Sequence, residues 1–246
     1  MNAPHSPIET ARFAKTRVES QDWAGMEDAL HTQGHAILPS LLDRETCQTI
    51  AAAYDDEAIY RSRIDMGRYG FGQGEYKYFS YPLPSLIADL RHELYARLVG
   101  IANHWNDAMR LDVRCPAQHA DFIRRCHDAG QQRPTPLILR YRKGDYNCLH
   151  QDLYGENVFP IQVAVLLSEP DEDFTGGEFV LTEQRPRAQS RVMVVPLRQG
   201  DAVAFAVNNR PVNGTRGSYR VTLRHGVSAL RSGQRHTLGI IFHDAT

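Results

Sequence analysis

The chain has 246 residues, 42% of them hydrophobic and 23% charged, the balance of a globular protein with an apolar core, which excludes disordered and fibrous classes. No eighteen apolar residues run together and the opening MNAPHSPIETARFAK has no apolar h-region, so neither a membrane partner nor a Sec signal is expected and the expected compartment is the cytoplasm. The net charge of −1 hides an asymmetry: residues 184–235 hold ten arginines (185, 187, 191, 198, 210, 216, 220, 224, 231, 235) against one acid, Asp201, a local +9 that leaves −10 elsewhere. Such a segment reads either as a surface for anionic partners or as an ion-paired, solvated sheet face.

Residues 1–20 mix Pro, Ser and small polar residues without periodicity, which predicts a flexible arm. Trp23, Met26 and Leu30 then recur at helical spacing up to Gly34, His35 to Leu38 reads as a short strand, and Asp43 is the expected N-cap of a helix running through Ile50 and Ala53. Residues 66–82 place five aromatics (Tyr69, Phe71, Tyr76, Tyr78, Phe79) among four glycines before Ser80, which predicts a hairpin or mobile flap. Leu83-Pro84-Ser85 opens a long helical pattern (Leu86, Leu90, Leu94, Leu98, Ile101, Trp105) ending near Met109, and residues 116–128 make a shorter helix. After Gln131 the texture is β, with seven or eight short strands separated by Gly, Pro and Asn turns, as in a sandwich or jelly roll. The expected fold class is α+β: a β-core over 136–246, helices of 21–135 buttressing one sheet, and all of it one integrated domain.

The sharpest chemical feature is His150-Gln151-Asp152. In an extended chain residues i and i+2 project from the same face, so an imidazole and a carboxylate converge while Gln151 looks away. Alone, this pattern also fits a surface histidine beside a charge. The later segments Leu223-Arg224-His225-Gly226-Val227 and Gly233-Gln234-Arg235-His236-Thr237-Leu238 add an imidazole, His225, and an arginine, Arg235, ten positions on. Two histidines and a carboxylate on a barrel wall make a facial triad, which leaves three positions of an octahedral Fe(II) open for a bidentate 2-oxo acid and O2. Zinc prefers a fourth ligand or a single open site. The distal carboxylate of 2-oxoglutarate needs a cationic clamp, for which Arg235 is the candidate and Arg231 the next.

These residues resemble the pattern of the Fe(II)/2-oxoglutarate-dependent dioxygenases. Arg140-Tyr141-Arg142-Lys143-Gly144-Asp145-Tyr146 resembles the lead-in to the triad of their prolyl-hydroxylase-like branch, Thr175-Gly176-Gly177-Glu178-Phe179 resembles its GGxF turn, and Gly200-Asp201-Ala202-Val203-Ala204-Phe205 resembles the strand before the distal histidine. The whole chain resembles the bacterial Oxygenase-NA family, predicted to demethylate damaged DNA bases oxidatively. The resemblance implies a double-stranded β-helix (cupin-like jelly roll), Fe(II) held by His150, Asp152 and His225, 2-oxoglutarate held by Arg235, O2 as co-substrate and ascorbate as a supporting reductant. It also implies single-stranded or damaged nucleic acid as the macromolecular partner. Alkylation-repair dioxygenases carry a second arginine six residues after the first, where this chain has Ile241, so a protein (prolyl-type) or small-metabolite hydroxylase is the alternative. A non-catalytic cupin-like sensor is a further one, and the oligomeric state is left open.

Other residues have competing readings. Arg235 and His236 must point to opposite faces, with Arg235 expected inward. His243-Asp244 is expected to be a surface end. Tyr141 is either a hydrogen-bond partner of bound 2-oxoglutarate or a core tyrosine. The five aromatics of 66–82 either stack on a substrate ring or pack a hairpin. Cys115, His119, Cys126 and His127 could be drawn as a zinc site, but their spacing matches no zinc motif, and with Cys47 and Cys148 the thiols are expected to be reduced.

Overall fold

A computed structural model describes residues 7–215 and 217–246. Its first half runs α1 (Pro7–Glu19), α2 (Trp23–Gln33), β1 (His35–Leu38), α3 (Arg44–Ala52), β2 (Tyr60–Asp65), β3 (Gly72–Gln73), β4 (Glu75–Phe79), α4 (Ser85–Ala108) and α5 (His119–Asp128). The second half is all strand: β5 (Leu137–Arg142), β6 (Tyr146–His150), β7 (Ile161–Leu166), β8 (Phe174–Gly176), β9 (Phe179–Gln184), β10 (Arg191–Val195), β11 (Ala202–Ala206), β12 (Asn209–Gly214), β13 (Gly217–Val227) and β14 (Leu230–Ile240). It holds ten strands rather than seven or eight. The additional ones, β6, β8 and β12, are short or rich in Gly, Pro and polar residues and lack the apolar alternation that marks a strand in sequence.

Helix ends follow local chemistry. Asp22 caps α2 by accepting from the Gly25 N–H at 3.0 Å, and Gly34 closes it at a positive φ that a side chain would strain. Asp43 caps α3 through the Thr46 N–H at 2.9 Å and pairs with Arg17 of α1 at 2.9 Å. The expected arm over 1–20 is therefore different from position 7 on: α1 is a helix that buries Ala14 and Val18 and packs along α4. Its stability comes from that tertiary contact rather than from its own periodicity. Residues 1–6 of the expected arm lie outside the described residues.

The strands form two antiparallel sheets. The larger has the order β1-β11-β7-β14-β5-β4-β2, with β8 on β14; the smaller has β10-β9-β13-β6-β3, with β12 on β13. This is the two-layered jelly-roll core expected above. Strands of the larger sheet are buried on both faces: Ile138, Val163, Val165, Ala204, Leu238 and Ile240 point outward into the core shared with Leu90, Leu94, Leu98 and Trp105 of α4. Leu139, Tyr141, Leu166 and Phe205 point inward, toward the smaller sheet. The helices thus cover one sheet, and the space between the sheets is left for the site.

Two expectations change here. Of the two readings of 66–82 the hairpin holds and the mobile flap does not, since β4 pairs with β2 on one side and β5 on the other and Tyr78 and Phe79 are buried; of the five aromatics only Tyr69 and Phe71 are strongly exposed. His243-Asp244 is not a surface end, because both residues are fully buried. Asp244 accepts from Arg91 of α4 at 2.8 Å, from Tyr81 at 2.8 Å and from His127 of α5 at 2.9 Å, while its backbone carbonyl accepts the Gln131 amide at 2.6 Å. A guanidinium buried on a helix requires a carboxylate, and a reading of local pattern does not reveal which residue supplies it.

Asp244→Ala leaves Arg91 buried and unpaired, so a loss of about 3–5 kcal/mol in unfolding free energy is expected. Urea denaturation measures it, and a loss below about 1 kcal/mol would show that the cluster is not structural.

Candidate active site

β6 and β13 are antiparallel neighbours with His150 directly opposite His225. That register, rather than proximity in sequence, brings the two imidazoles to a centroid separation of 4.1 Å. Asp152 lies two residues beyond the end of β6, and Gln151 is drawn the other way by bonds from its amide to Asn208 Oδ1 at 2.7 Å and Leu223 O at 2.8 Å. The Asp152 carboxylate consequently sits between the histidines, with Oδ1 3.6 Å from His150 Nε2 and Oδ2 3.4 Å from His225 Nε2. One ligand atom from each of His150, Asp152 and His225 lies within 4.8 Å of the others, and this is the one such His/Cys/Asp/Glu group among the described residues.

The surroundings suit a cation. His150 Nδ1 bonds the Cys148 carbonyl at 2.8 Å, which places the proton there and leaves Nε2 with a free lone pair. Phe205 and Phe179 lie 4.7 and 6.1 Å from the His225 ring and keep it dry. Burial and the neighbouring His150 lower the His225 pKa despite Asp152, favouring the neutral imidazole that ligates metals. Burial pushes the Asp152 carboxyl up, but the hydrogen bond from His225, both imidazoles and the Tyr154 hydroxyl outweigh it and hold the group well below the usual carboxylate range. Two imidazoles and a carboxylate, with no fourth protein ligand among the described residues, match the donor set of a divalent iron site.

The other inward-facing candidates lie on the larger sheet. Arg235 on β14 is opposite Tyr141 on β5, so both side chains share the inner face, and the guanidinium carbon lies 5.6 Å from the Tyr141 ring and 5.8 Å from that of Phe174. Arg235 is 2% exposed, donates to Thr237 Oγ1 at 2.6 Å, and has no carboxylate partner among the described residues. Its Nε and the Tyr141 hydroxyl are buried without a hydrogen bond. Burial lowers the Arg235 pKa to about 10, leaving it cationic at neutral pH. It lines a cleft of about 270 Å³ with Leu166, Gly176, Gly177 and Phe179. At Gly177, where φ is +63°, a Cβ would meet Leu230 at 2.5 Å and Arg235 at 3.2 Å, so the turn needs glycine for the close approach. Phe179 both lines this cleft and flanks His225, connecting the arginine's surroundings to the triad's.

The decoys separate from this group. His236 faces outward, 5.8 Å from the Tyr54 ring, with its pKa lowered to about 4 by burial. His119 bonds the Phe242 carbonyl at 2.9 Å, His127 bonds Asp244, and all four cysteines are free. The arginines of 184–235 are mostly committed: buried Glu183 gathers Arg210 at 2.6 Å, Arg185 at 2.9 Å and Arg191 at 3.7 Å, Glu178 pairs with Arg231 at 3.4 Å, and Glu169 pairs with Arg198 at 3.8 Å. Those acids lie outside the segment, which is why the local count overstated its field. Arg187, Arg220 and Arg224 are exposed without an ion pair among the described residues, Arg220 donating to the Met109 carbonyl at 2.7 Å, and Arg216 lies outside them. The exposed Tyr69 (60%) and Phe71 (46%) stack on each other at 5.5 Å, and the Phe71 carbonyl bonds the Cys148 N–H of β6.

Sequence reasoning missed three residues that hold the Asp152 loop. Tyr154 donates to Asp152 Oδ1 at 2.7 Å, Tyr78 donates to Tyr154, and buried Gln131 bonds the Tyr154 and Asn157 carbonyls at 2.8 and 3.1 Å. The i+2 offset of Tyr154 from Asp152 is a faint signal; Tyr78 and Gln131 have none.

Comparison with known proteins gives three findings. Residues 74–245 match the model of the Oxygenase-NA family, described as an oxygenase catalysing oxidative methylation of damaged DNA. An uncharacterised protein of Mycobacterium tuberculosis is 46% identical over 182 residues, covering 73% of this chain and 78% of that one. Among solved structures, a prolyl-4-hydroxylase of Pseudomonas putida superposes with a TM-score of 0.53 at 14% identity, over 88% of this chain and 96% of that one. An oxidoreductase of the 2OG-Fe(II) oxygenase family from Burkholderia pseudomallei does so at 0.53 and 16% identity, over 92% and 94%. At such identities the structural matches speak to the fold alone. No helix among the described residues is long and apolar enough to cross a membrane.

His150→Ala, Asp152→Ala and His225→Ala are each expected to weaken Mn(II) or Co(II) binding by more than about 100-fold with the circular dichroism spectrum preserved, whereas His236→Ala binds as the wild type does. Calorimetric titration tests this. Loss of binding in His236→Ala with retention in His225→Ala would mean that β14, not β13, carries the third ligand.

Proposed function

The chain belongs to the Oxygenase-NA family, and on that premise we propose that it is an Fe(II)- and 2-oxoglutarate-dependent dioxygenase in which His150, Asp152 and His225 hold the metal and Arg235 binds the distal carboxylate of 2-oxoglutarate. The observation that carries this reading is a buried guanidinium without a counter-ion among the described residues, in the same barrel as a two-histidine, one-carboxylate cluster. An uncompensated buried charge is costly, and a dianionic co-substrate would supply its partner. When bound, Fe(II) with 2-oxoglutarate and O2 supplies oxidative decarboxylation to succinate and CO2 coupled to hydroxylation of a substrate C–H bond. The chain's own residues position and shield: Arg235 and the free Tyr141 hydroxyl orient the co-substrate, the Cys148 carbonyl sets the His150 tautomer, and Phe179 and Phe205 exclude water.

The macromolecular substrate under this reading is single-stranded or damaged nucleic acid. The family description supports it, as do exposed Arg187 and Arg224 and the Tyr69–Phe71 pair beside the His150 strand. Oxygen inserted into an N-methyl C–H bond gives a hemiaminal that loses formaldehyde, so removal of a methyl group is the direction this chemistry would take. A second reading, hydroxylation of a protein side chain, is favoured by the commitment of Arg185, Arg191, Arg198, Arg210 and Arg231 to glutamates, which shrinks the cationic footprint. The four unpaired thiols suit a reducing compartment such as the cytoplasm.

Uncoupled succinate formation from 2-oxoglutarate under Fe(II) and ascorbate tests the reaction class. Arg235→Ala is expected to raise the 2-oxoglutarate requirement by about 100-fold, equivalent to about 3 kcal/mol, with metal affinity nearly unchanged. No succinate from the wild type would leave a 2-oxoglutarate or metal sensor, and an unchanged requirement in the variant would move the clamp to Arg231.

Titration of labelled single-stranded DNA at about 50 and 200 mM salt tests the substrate, with binding expected to weaken steeply between the two. Absence of binding at the lower concentration would favour a protein side chain.

A further inference from the structure

The Asp152 carboxylate is gripped from two sides. Oδ2 faces His225 Nε2 at 3.4 Å, while Oδ1 accepts the Tyr154 hydroxyl at 2.7 Å, a length typical of a charge-assisted O–H···O⁻ bond. A phenol has one proton. With that proton committed to Asp152, the Tyr154 oxygen can only accept at its other side, and it does so from the Tyr78 hydroxyl at 3.2 Å. The direction of both hydrogen bonds is thereby fixed.

Each member of the pair is anchored on a different part of the fold. Tyr78 sits on β4 inside the larger sheet, with the Arg61 guanidinium 4.4 Å from its ring centroid and Tyr76 edge-on at 5.4 Å. Arg61 is itself held by the Pro134 carbonyl at 2.9 Å. Tyr154 lies on the loop after Asp152, where its carbonyl accepts the buried Gln131 amide at 2.8 Å. At Gly155, which follows, φ is +99° and a Cβ would meet the Gln131 side chain at 2.5 Å, so the loop is pressed against this support.

We propose that Tyr78 and Tyr154 form a hydrogen-bond relay that fixes the orientation of the Asp152 carboxylate, with Tyr154 a positioning residue for metal binding and Tyr78 acting through it. The proposal rests on the assignment of Asp152 as a metal ligand. The carboxylate lies beyond the end of β6, so the sheet ladder does not hold it, and the relay ties it to the opposite sheet. Oδ1, 3.6 Å from His150 Nε2, is held by the phenol, and Oδ2 is left facing His225. Outer contacts of this kind typically change metal affinity by about 10- to 100-fold when removed.

The test is titration of the apo-protein with Co(II), followed by calorimetry and by the visible absorption of the bound ion. Tyr154→Phe is expected to raise the dissociation constant by about 10- to 100-fold and to alter the visible band, with the thermal midpoint and far-ultraviolet spectrum close to those of the wild type. Tyr78→Phe is expected to give a smaller rise, and the double variant no more than Tyr154→Phe alone, because Tyr78 acts only through Tyr154. A Tyr154→Phe protein that binds Co(II) as the wild type does, or a double variant whose loss is the sum of the two single losses, overturns the relay while leaving the metal site standing. A wild type that binds no Co(II) overturns the metal assignment and the relay together.

Discussion

A slip of one residue along β14 would exchange Arg235 for His236 and put Thr237, now inside, where Leu238 fills the core beneath the helices. Because both faces of the larger sheet are buried, that exchange would carry a charge into the helical core and an aliphatic side chain into the barrel, which makes the register strongly specified. The same constraint pairs Arg235 with Tyr141 across to β5, and on the other sheet it sets His225 against His150. The site is in this sense a by-product of alternation: two sheets face each other, and the polar residues at inward positions meet in the space between them.

Burial of charge shows where that space differs from the rest of the molecule. Among the described residues four cationic side chains are almost completely buried: Lys77, Arg91, Arg210 and Arg235. Lys77 pairs with Glu57 at 2.6 Å, Arg91 with Asp244 at 2.8 Å and Arg210 with Glu183 at 2.6 Å. Arg235 has a threonine hydroxyl and two aromatic rings instead. The buried structural cations in this fold are paired by the chain itself, whereas Arg235 has no carboxylate partner among the described residues. The Tyr141 hydroxyl, buried beside it without a partner, repeats the pattern in a neutral group.

The C-terminal residues tie the helical layer to this core. β14 carries Arg235, and the chain then continues through Phe242 into the cluster of Asp244 with Arg91, Tyr81 and His127. Gln131 joins that cluster to the loop that presents Asp152, through bonds to the carbonyls of Asp244, Tyr154 and Asn157. One buried amide thereby joins the chain end and the carboxylate loop through defined hydrogen bonds, and Asp244 links both to the helical buttress.

What the sequence determined by itself was local or strictly periodic. The caps at Asp43 and Gly34, the long amphipathic pattern of α4, the β texture after Gln131 and the pairing of His150 with Asp152 are legible because they depend on contacts within a few residues or on a period of two or 3.6. The opposite facing of Arg235 and His236 follows from the same period. Tertiary structure decided the rest: that β6 exists and lies against β13, that α1 is a helix, that β4 is held between two strands, that Asp244 is the buried partner of Arg91, and that Glu183 pairs with three arginines. Each of these joins residues far apart in the chain or depends on burial that no short window reports. The hydroxyls of Tyr78 and Tyr154 belong to the same class, because a tyrosine's sequence context does not say which carboxylate its proton will find.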